Sequence, residues 1–193
     1  MDTAPDSRWT TGLPTLTAPR IVLRAFADAD LPAMFDIYSD PETMAYFSIT
    51  PIREMNQAAG ILVHARQSFA SRQVFPWAVA DRWSGNLIGS CALLRPDWTN
   101  GRAEIGFVLN RSQWGRGLAT EAVGRMLAHV FDEWNLRRLE ADVDPRNARC
   151  RKLLERFGFR EEGLLRERWS VGGGVQDTVF YGLLRREWIR NQG

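Results

Sequence analysis

"QWGRGLATEA", residues 113–122, places two glycines one residue apart, directly before a stretch of helix-forming residues. The first backbone N–H groups of a helix have no intrahelical partner, and the helix dipole gives this end a partial positive charge. Gly115 and Gly117 lack a Cβ atom, so a ligand can approach the backbone closely, and Arg111 and Arg116 can pair with phosphate. The stretch therefore predicts a phosphate site, with a pyrophosphate as the expected ligand. A helix start with solvated arginines is an equally weighted alternative.

Two known phosphate-binding patterns can be compared with this stretch. The P-loop pattern is absent, because no Lys-Ser or Lys-Thr pair follows either glycine. The segment "GRGLAT" (115–120) comes close to the dinucleotide-binding fingerprint, and Glu140 lies about 20 residues further on, where a ribose-binding acid is expected. However, residues 111–114 separate the segment from the preceding strand, which belongs to an antiparallel meander. A dinucleotide-binding protein is therefore only a minor alternative.

Length and composition narrow the class of protein. The 193 residues suit one domain, 45% of them are hydrophobic, and the net charge of +2 does not favour a nucleic-acid partner. Two cysteines cannot build a disulfide scaffold, the first residues lack the pattern of a signal peptide, and no long apolar run predicts a membrane span. We expect a soluble cytoplasmic protein with a flexible arm at residues 1–18 and a single domain at residues 19–193.

Hydrophobic periodicity predicts an alternation of strands and helices. Strands are expected at residues 20–26, 75–81, 86–94, 102–110 and 137–143, with two more on either side of the glycines at 172–174. Helices are expected after Asp28 or Asp30, over 53–72 and 118–134, and from a cap at Asn147 to a stop near Gly158. Short links between the three strands from 75 to 110 predict an antiparallel meander. The fold class is therefore α+β, a mixed and mostly antiparallel twisted sheet flanked by helices.

Several short segments, in this order and spacing, are similar to one known family. They are "APRIVLRAF" (18–26), "AEIGFVL" (103–109), "QWGRGLATEA" (113–122), "DPRNARCRKLLERFGFREEG" (144–163), and "VFYGLL" (179–184) after Asp177. From about residue 20 to residue 184 the chain resembles the GNAT superfamily of acetyl-CoA-dependent N-acetyltransferases, in the branch of the ribosomal-protein N-terminal acetyltransferases RimJ and RimL. The resemblance implies the GNAT acyl-CoA N-acyltransferase fold and acetyl-CoA as co-substrate. It also implies a primary amine as acceptor, on a protein N-terminus or a small molecule, and a homodimer.

The resemblance also implies which residues hold the cofactor. Trp114 is counted among them, and the backbone amides that follow it would bind the pyrophosphate; these amides belong to Gly115, Arg116, Gly117, Leu118, Ala119 and Thr120. Trp114 stands where the superfamily usually has Gln or Arg. The end of the preceding strand, formed by Phe107, Val108 and Leu109, would run beside the pantetheine and pair with it like an extra strand. Asn147 would hydrogen-bond to the pantetheine, and Lys152 lies near enough to meet the adenosine phosphate.

Acetyl transfer to an amine requires a neutral amine, a polarised thioester carbonyl and a proton donor for the leaving thiolate. In family members the proton donor is often a Ser three places after the Asn, and this chain has Cys150 at that position. Cys150 is either that donor or a packing residue. A covalent acetyl-cysteine is a minor alternative. The RimL base position carries Trp169, so that role does not transfer. Glu104 and Glu167 are the remaining candidates for the base, although Glu104 is equally compatible with a structural role. Asp177 and Trp169 are candidates for acceptor binding.

The expected reaction is direct attack by the acceptor amine in a ternary complex. The competing hypothesis is a non-catalytic acyl-CoA-binding or regulatory module, which the missing base and the change from Ser to Cys150 would favour. No Cys and His cluster has metal-ligand spacing, so we expect no metal. We also expect no nucleic-acid or membrane partner.

Overall fold

One eight-stranded sheet runs through the described part of the computed structural model, residues 12–188. Its strands are β1 (Leu16–Thr17), β2 (Ile21–Arg24), β3 (Val74–Asp81), β4 (Leu87–Asp97), β5 (Arg102–Leu109), β6 (Arg138–Val143), β7 (Arg160–Val171) and β8 (Gly174–Leu184). The helices that flank it are α1 (Leu31–Ser39), α2 (Pro41–Met44), α3 (Met55–Ala70), α4 (Leu118–Asp132) and α5 (Ala148–Arg156). The predicted α+β class is confirmed.

Strands β1 to β5 pair antiparallel in chain order, and β3 to β5 form the antiparallel meander that was predicted from their short connections. The short strand β1 was not predicted: residues 16 and 17 belong to the expected flexible arm, yet Leu16 is buried and pairs with Leu23 of β2. The arm's first eleven residues lie outside the described part of the chain. The sheet therefore begins earlier in the chain than the predicted domain boundary at residue 19.

The strand order, β1-β2-β3-β4-β5-β6-β8-β7, contains one parallel pair among the described strands. Strands β5 and β6 pair in parallel only over residues 102–104 and 138–140. Beyond these pairs the two strands separate, and α4 provides the crossover between them. We call the gap between residues 105–109 of β5 and residues 141–143 of β6 the wedge.

Apolar side chains fill both faces of the sheet. Helix α4 packs its apolar stripe on one face, together with the buried residues of α5. The stripe consists of Leu118, Ala122, Val123, Met126, Leu127, Val130 and Phe131. Helices α1 and α3 cover part of the other face, where Met34, Ile37 and Leu62 meet Val108 of β5. Within residues 12–188, no helix has the length and apolar character needed to cross a membrane.

Alternation along β5 and β6 assigns their side chains to these faces. Leu139, Ala141 and Val143 of β6 pack in the α4 cluster. Glu140 and Asp142 therefore lie on the opposite face of the strand, which α1 and α3 share. This arrangement brings acidic side chains to the wedge on the side away from α4.

Candidate functional site

The glycine loop, residues 113–117, connects β5 to α4 at the open end of the wedge. Gly115 and Gly117 have φ angles of 73° and 76°, and Gly117 is the N-cap residue of α4. Such left-handed conformations favour glycine, which explains both glycines in the sequence. A Cβ atom on Gly115 would meet nothing within 4 Å, so the space above the loop is open.

The backbone N–H groups from Gly115 to Thr120 donate to no other group within residues 12–188. Six donors at a helix N-terminus, three of them in a glycine-containing turn, form the kind of concave site that binds anions. This geometry fits the predicted pyrophosphate site.

Arg20, at the start of β2, holds the loop in place. Its Nη1 atom donates to the backbone oxygen of Arg116 at 2.9 Å, and its Nε atom donates to Oε2 of Glu121 at 2.7 Å. The carboxylate of Glu121 lies in the first turn of α4, where the helix dipole favours a negative charge. The loop is therefore fixed before any ligand binds.

Trp114 links the glycine loop to both sides of the wedge. Its indole N–H donates to the backbone oxygen of Leu109 at 2.9 Å, and the guanidinium of Arg149 lies 4.9 Å from the centre of its ring. The contact with Arg149 is a cation–π interaction between the loop and the first turn of α5. The part of β5 predicted to pair with pantetheine, residues 107–109, therefore ends at the carbonyl group of Leu109, which already accepts a hydrogen bond from Trp114.

The two arginines that were predicted to pair with phosphate differ in their availability. Arg116 is exposed and donates to the side chain of Gln113 at 2.6 Å, and it forms no close ion pair with a carboxylate of the described residues. Arg111 instead forms ion pairs with Asp40 and Glu42, both at 3.4 Å. The prediction that Arg111 supplies charge to a phosphate is therefore not supported by its contacts.

The remaining predicted cofactor residues lie on β5, at the N-cap of α5 and within α5. Val108 and Leu109 are buried, and Phe107 is half-buried. Asn147 caps α5 as predicted: its Oδ1 accepts the N–H of Cys150 at 3.0 Å, and its Nδ2 group donates to nothing within the described residues. Asn147 can therefore donate to a ligand in the wedge. Lys152 is exposed and forms no ion pair there.

Glu104 lies at the last paired position of β5, where the wedge begins, opposite Glu140. Its side chain is 15% exposed and forms an ion pair with Arg95. Burial raises the pKa of Glu104 above its ordinary value, and the negative charge of Asp142 raises it further, while Arg95 opposes both effects. A carboxylate with a raised pKa at the base of the wedge is suited to accept a proton.

The other predicted chemical residues lie on the β7–β8 hairpin. Glu167 is exposed in a bulge of β7 with a φ angle of 51°, and its N–H donates to Oδ1 of Asp177 at 2.8 Å. Asp177 thus holds the bulge together. Trp169 is half-buried, and the guanidinium of Arg168 lies 5.4 Å from its ring. No described contact joins Glu167 to Glu104.

Residues 20–160, most of the chain, match the family described as "Acetyltransferase (GNAT) domain". The chain belongs to this family. The acetyltransferase is 35% identical over 174 residues to the uncharacterized N-acetyltransferase p20 of Bacillus licheniformis, covering 90% of this chain and 98% of the relative. It is 24% identical over 170 residues to the spermidine N(1)-acetyltransferase of Vibrio cholerae, covering 88% and 96%.

The fold of the acetyltransferase is also found in solved structures. RimJ of Mycobacterium smegmatis, in complex with CoA-disulfide, superposes with a TM-score of 0.82 at 24% identity and covers 91% of this chain and 89% of that one. The predicted GNAT superfamily and the predicted enzyme class are confirmed. The predicted RimJ/RimL-like branch is supported by the putative ribosomal N-acetyltransferase YdaF of Bacillus subtilis, which is 36% identical over 106 residues, 55% of this chain and 58% of the relative. The dinucleotide-binding alternative is wrong, since its fingerprint belongs to a doubly wound parallel sheet rather than to a sheet with one short parallel pair.

Burial decides what Cys150 of the acetyltransferase can do. The side chain packs against the α4 core cluster, and burial raises the pKa of its thiol to about 12. The nucleophilic thiolate is therefore scarce at neutral pH, which argues against a covalent acetyl-cysteine. A thiol with such a pKa can donate a hydrogen bond, but it is a poorer acid than an ordinary thiol, whose pKa is about 8.5.

Sequence analysis of the acetyltransferase missed Arg20, Arg95 and Asp142. The clamp between Arg20 and Glu121 joins residues 101 positions apart, so no local pattern indicates it. Asp142 had a usable signal, because it alternates with Glu140 on a predicted strand next to the loop. Within residues 12–188, no group of three or more His, Cys, Asp and Glu side chains is arranged to hold a metal ion.

Proposed function

We propose that this acetyltransferase moves the acetyl group of acetyl-CoA to a primary amine by direct attack in a ternary complex. The observation that carries the proposal is the row of free N–H groups from Gly115 to Thr120 at the mouth of the wedge. The relatives support an amine acceptor, because one of them is named for spermidine. The acceptor here is an amine on either a protein N-terminus or a small molecule.

The described residues fit the parts of acetyl-CoA. The six N–H groups would hold the pyrophosphate, the exposed Arg116 would add positive charge, and Lys152 would meet the adenosine phosphate. Residues 107–109 and the Nδ2 group of Asn147 would hold the pantetheine along the wedge. When bound, acetyl-CoA supplies an activated acetyl group as a thioester.

Glu104 is the proposed general base. An alkylammonium must lose a proton before its nitrogen has a lone pair, and a carboxylate at the base of the wedge can take that proton. The raised pKa of Glu104 brings it closer to the working pH than an ordinary carboxyl group. Arg95 holds the carboxylate in one position, and its positive charge favours the ionised form against the effect of burial. Glu167, exposed on the β7 bulge, is the second candidate.

Cys150 is proposed as a hydrogen-bond donor to the leaving sulfur rather than as its proton source. The thiol of the half-buried Cys150 stays protonated at neutral pH because its pKa is raised to about 12. Trp169 and Asp177 would shape the acceptor side of the site: Trp169 stacks under Arg168, and Asp177 holds the bulge of β7. By family resemblance, we also propose a cytoplasmic homodimer that has no nucleic-acid or membrane partner.

A non-catalytic acyl-CoA-binding module is the second candidate, and the high pKa of Cys150 favours it because the usual proton donor is weakened. Calorimetric titration with acetyl-CoA, followed by thiol release with a panel of amines, separates the two. If the protein is an active acetyltransferase, it should bind acetyl-CoA and release CoA with at least one amine. The Gly117→Trp variant, whose side chain fills the loop, should not bind acetyl-CoA. Binding of acetyl-CoA without release of CoA for any amine would favour the non-catalytic module. No binding of acetyl-CoA by the wild type would overturn both hypotheses.

A further inference from the structure

Asp142 of β6 carries a buried oxygen that has no partner. Its side chain is 7% exposed, and its Oδ1 atom accepts no hydrogen bond within the described residues. Its Oδ2 atom meets only Nε of Arg168, at a long 3.4 Å. Burying a carboxylate oxygen without a donor is costly, so native proteins nearly always satisfy such atoms with protein groups, water or a ligand. The free oxygen indicates a binding position.

Asp142 lies at the wedge beside Glu104. Glu104 and Glu140 form the last pair between β5 and β6, and Asp142 follows Glu140 by two residues on the same face of the strand. Asp142 is close enough for its negative charge to act on Glu104. The free oxygen is therefore next to the proposed base, where the two strands begin to separate.

The other carboxylates near Asp142 have partners, and both oxygens of Glu140 accept hydrogen bonds. Its Oε1 accepts from Nε of Arg138 at 2.8 Å, and its Oε2 accepts from Arg102 at 3.3 Å. Glu104 is held by Arg95. Of these three neighbouring carboxylates, Asp142 alone has an oxygen buried without a partner. No group within residues 12–188 donates to this oxygen, so its hydrogen-bond donor comes from outside the described residues.

We propose that Asp142 binds the acceptor amine, with Oδ1 accepting one N–H of its ammonium group. This inference rests on the proposed acetyl transfer. The ammonium gives one proton to the Glu104 carboxylate and becomes a neutral amine, which keeps an N–H on Asp142 and gains a lone pair. The C–N bond then forms as the C–S bond of the thioester breaks, and the surplus proton of the amine leaves with the sulfur.

The assignment predicts which cations the site accepts. Oδ1 needs a donor, so primary alkylammonium ions bind and tetramethylammonium, which has the same charge but no N–H, does not. Hydrogen bonds to charged groups are the strong ones, and loss of this one should lower kcat/KM for the amine about 10- to 100-fold, mainly through KM.

Asp142→Asn tests the assignment against Asp30→Asn as a matched control. Asp30 is equally buried, at 5% exposure, but both of its oxygens accept from Arg24 at 2.7 Å. Asp142→Asn should raise KM for the amine and leave the Kd for acetyl-CoA unchanged. It should not lower the Tm, which stays the same or rises. Asp30→Asn should lower the Tm and leave KM for the amine unchanged. An Asp142→Asn variant with wild-type KM would overturn the inference while the acetyltransferase activity stands.

A second readout needs no turnover. In protein labelled with carbon-13 at the side-chain carboxyls, the Asp142 signal is identified by its loss in Asp142→Asn. Propylammonium should shift that signal and tetramethylammonium should not. Equal shifts with both ions, or no shift with either, would overturn the inference. Shifts with propylammonium alone, in a protein that neither binds acetyl-CoA nor releases thiol, would keep the amine site and reject the proposed transfer.

Discussion

At the scale of single residues, burial separates the roles of the titratable groups around the wedge. Burial raises the pKa of both Cys150 and Glu104, but with opposite consequences. The thiol becomes inert because its reactive form is the charged one. The carboxylate becomes a better base because its pKa moves towards the working pH. The same physical cause thus removes Cys150 from covalent chemistry and favours Glu104 for proton transfer.

The cysteines should resist alkylation in the native protein. Burial raises the pKa of both Cys91 and Cys150 to about 12, which leaves roughly 3000-fold less thiolate at pH 7.5 than an ordinary cysteine has. Iodoacetamide treatment followed by mass spectrometry should show both residues unmodified in the native protein and modified in denaturant. Rapid modification of Cys150 in the native protein would restore the covalent route as a candidate.

The pH dependence of turnover should identify the base. Only ionised Glu104 accepts a proton, so kcat/KM should fall as pH falls through its pKa, which is raised above the ordinary value of a glutamate. Because the pKa of Glu104 is higher in the folded protein than in the unfolded chain, this group adds most to the free energy of unfolding at pH values below its unfolded pKa. That contribution is lost as pH rises through its folded pKa. Glu104→Gln should lower kcat/KM about 100-fold and remove this acidic limb. If Glu167→Gln removed the limb instead, the second candidate would be the base.

At the scale of elements, the site depends on how β5, the glycine loop and α4 are joined. The loop turns through two left-handed glycines, and α4 begins with its N–H groups unpaired. Arg20 of the neighbouring strand region fixes the turn through the backbone of Arg116 and the carboxylate of Glu121. A helix start built in this way would bind an anion without rearrangement, which would lower the entropic cost of binding.

Gly115→Ala and Gly85→Ala form a matched pair that tests the loop. Both glycines have a φ angle of 73°, and a Cβ atom on either would meet nothing within 4 Å. The backbone strain of the two variants, about 1 kcal/mol, should therefore lower the Tm by similar amounts. Only Gly115→Ala places a methyl group among the free N–H groups, and it should weaken acetyl-CoA binding roughly 10-fold in calorimetry. Equal affinities for the two variants would place the pyrophosphate elsewhere.

At the scale of the whole molecule, the periodic elements were predictable and the wedge was not. The apolar stripe of α4 and the alternation of β3 to β5 are local patterns, and the predicted bounds differ from the observed ones by few residues. The two-residue strand β1 is too short to show a period, so it was assigned to the arm. The separation of β5 from β6 after Glu104 depends on pairing between distant strands. The partnerless oxygen of Asp142 depends on burial in three dimensions.

Acetyl-CoA should stabilise the whole fold, because its proposed site joins β5, α4 and α5. A ligand that binds only the folded state, at 100 times its Kd, adds about 2.7 kcal/mol to the free energy of unfolding. For a domain of 193 residues this corresponds to a rise in Tm of roughly 5–10 °C, measurable by calorimetry. NAD shares a pyrophosphate with acetyl-CoA but has no pantetheine to lie in the wedge beside Asn147, so it should give a much smaller rise. A rise with NAD equal to that with acetyl-CoA would mean that the loop binds pyrophosphate without using the wedge, and the proposed pantetheine contacts would be wrong.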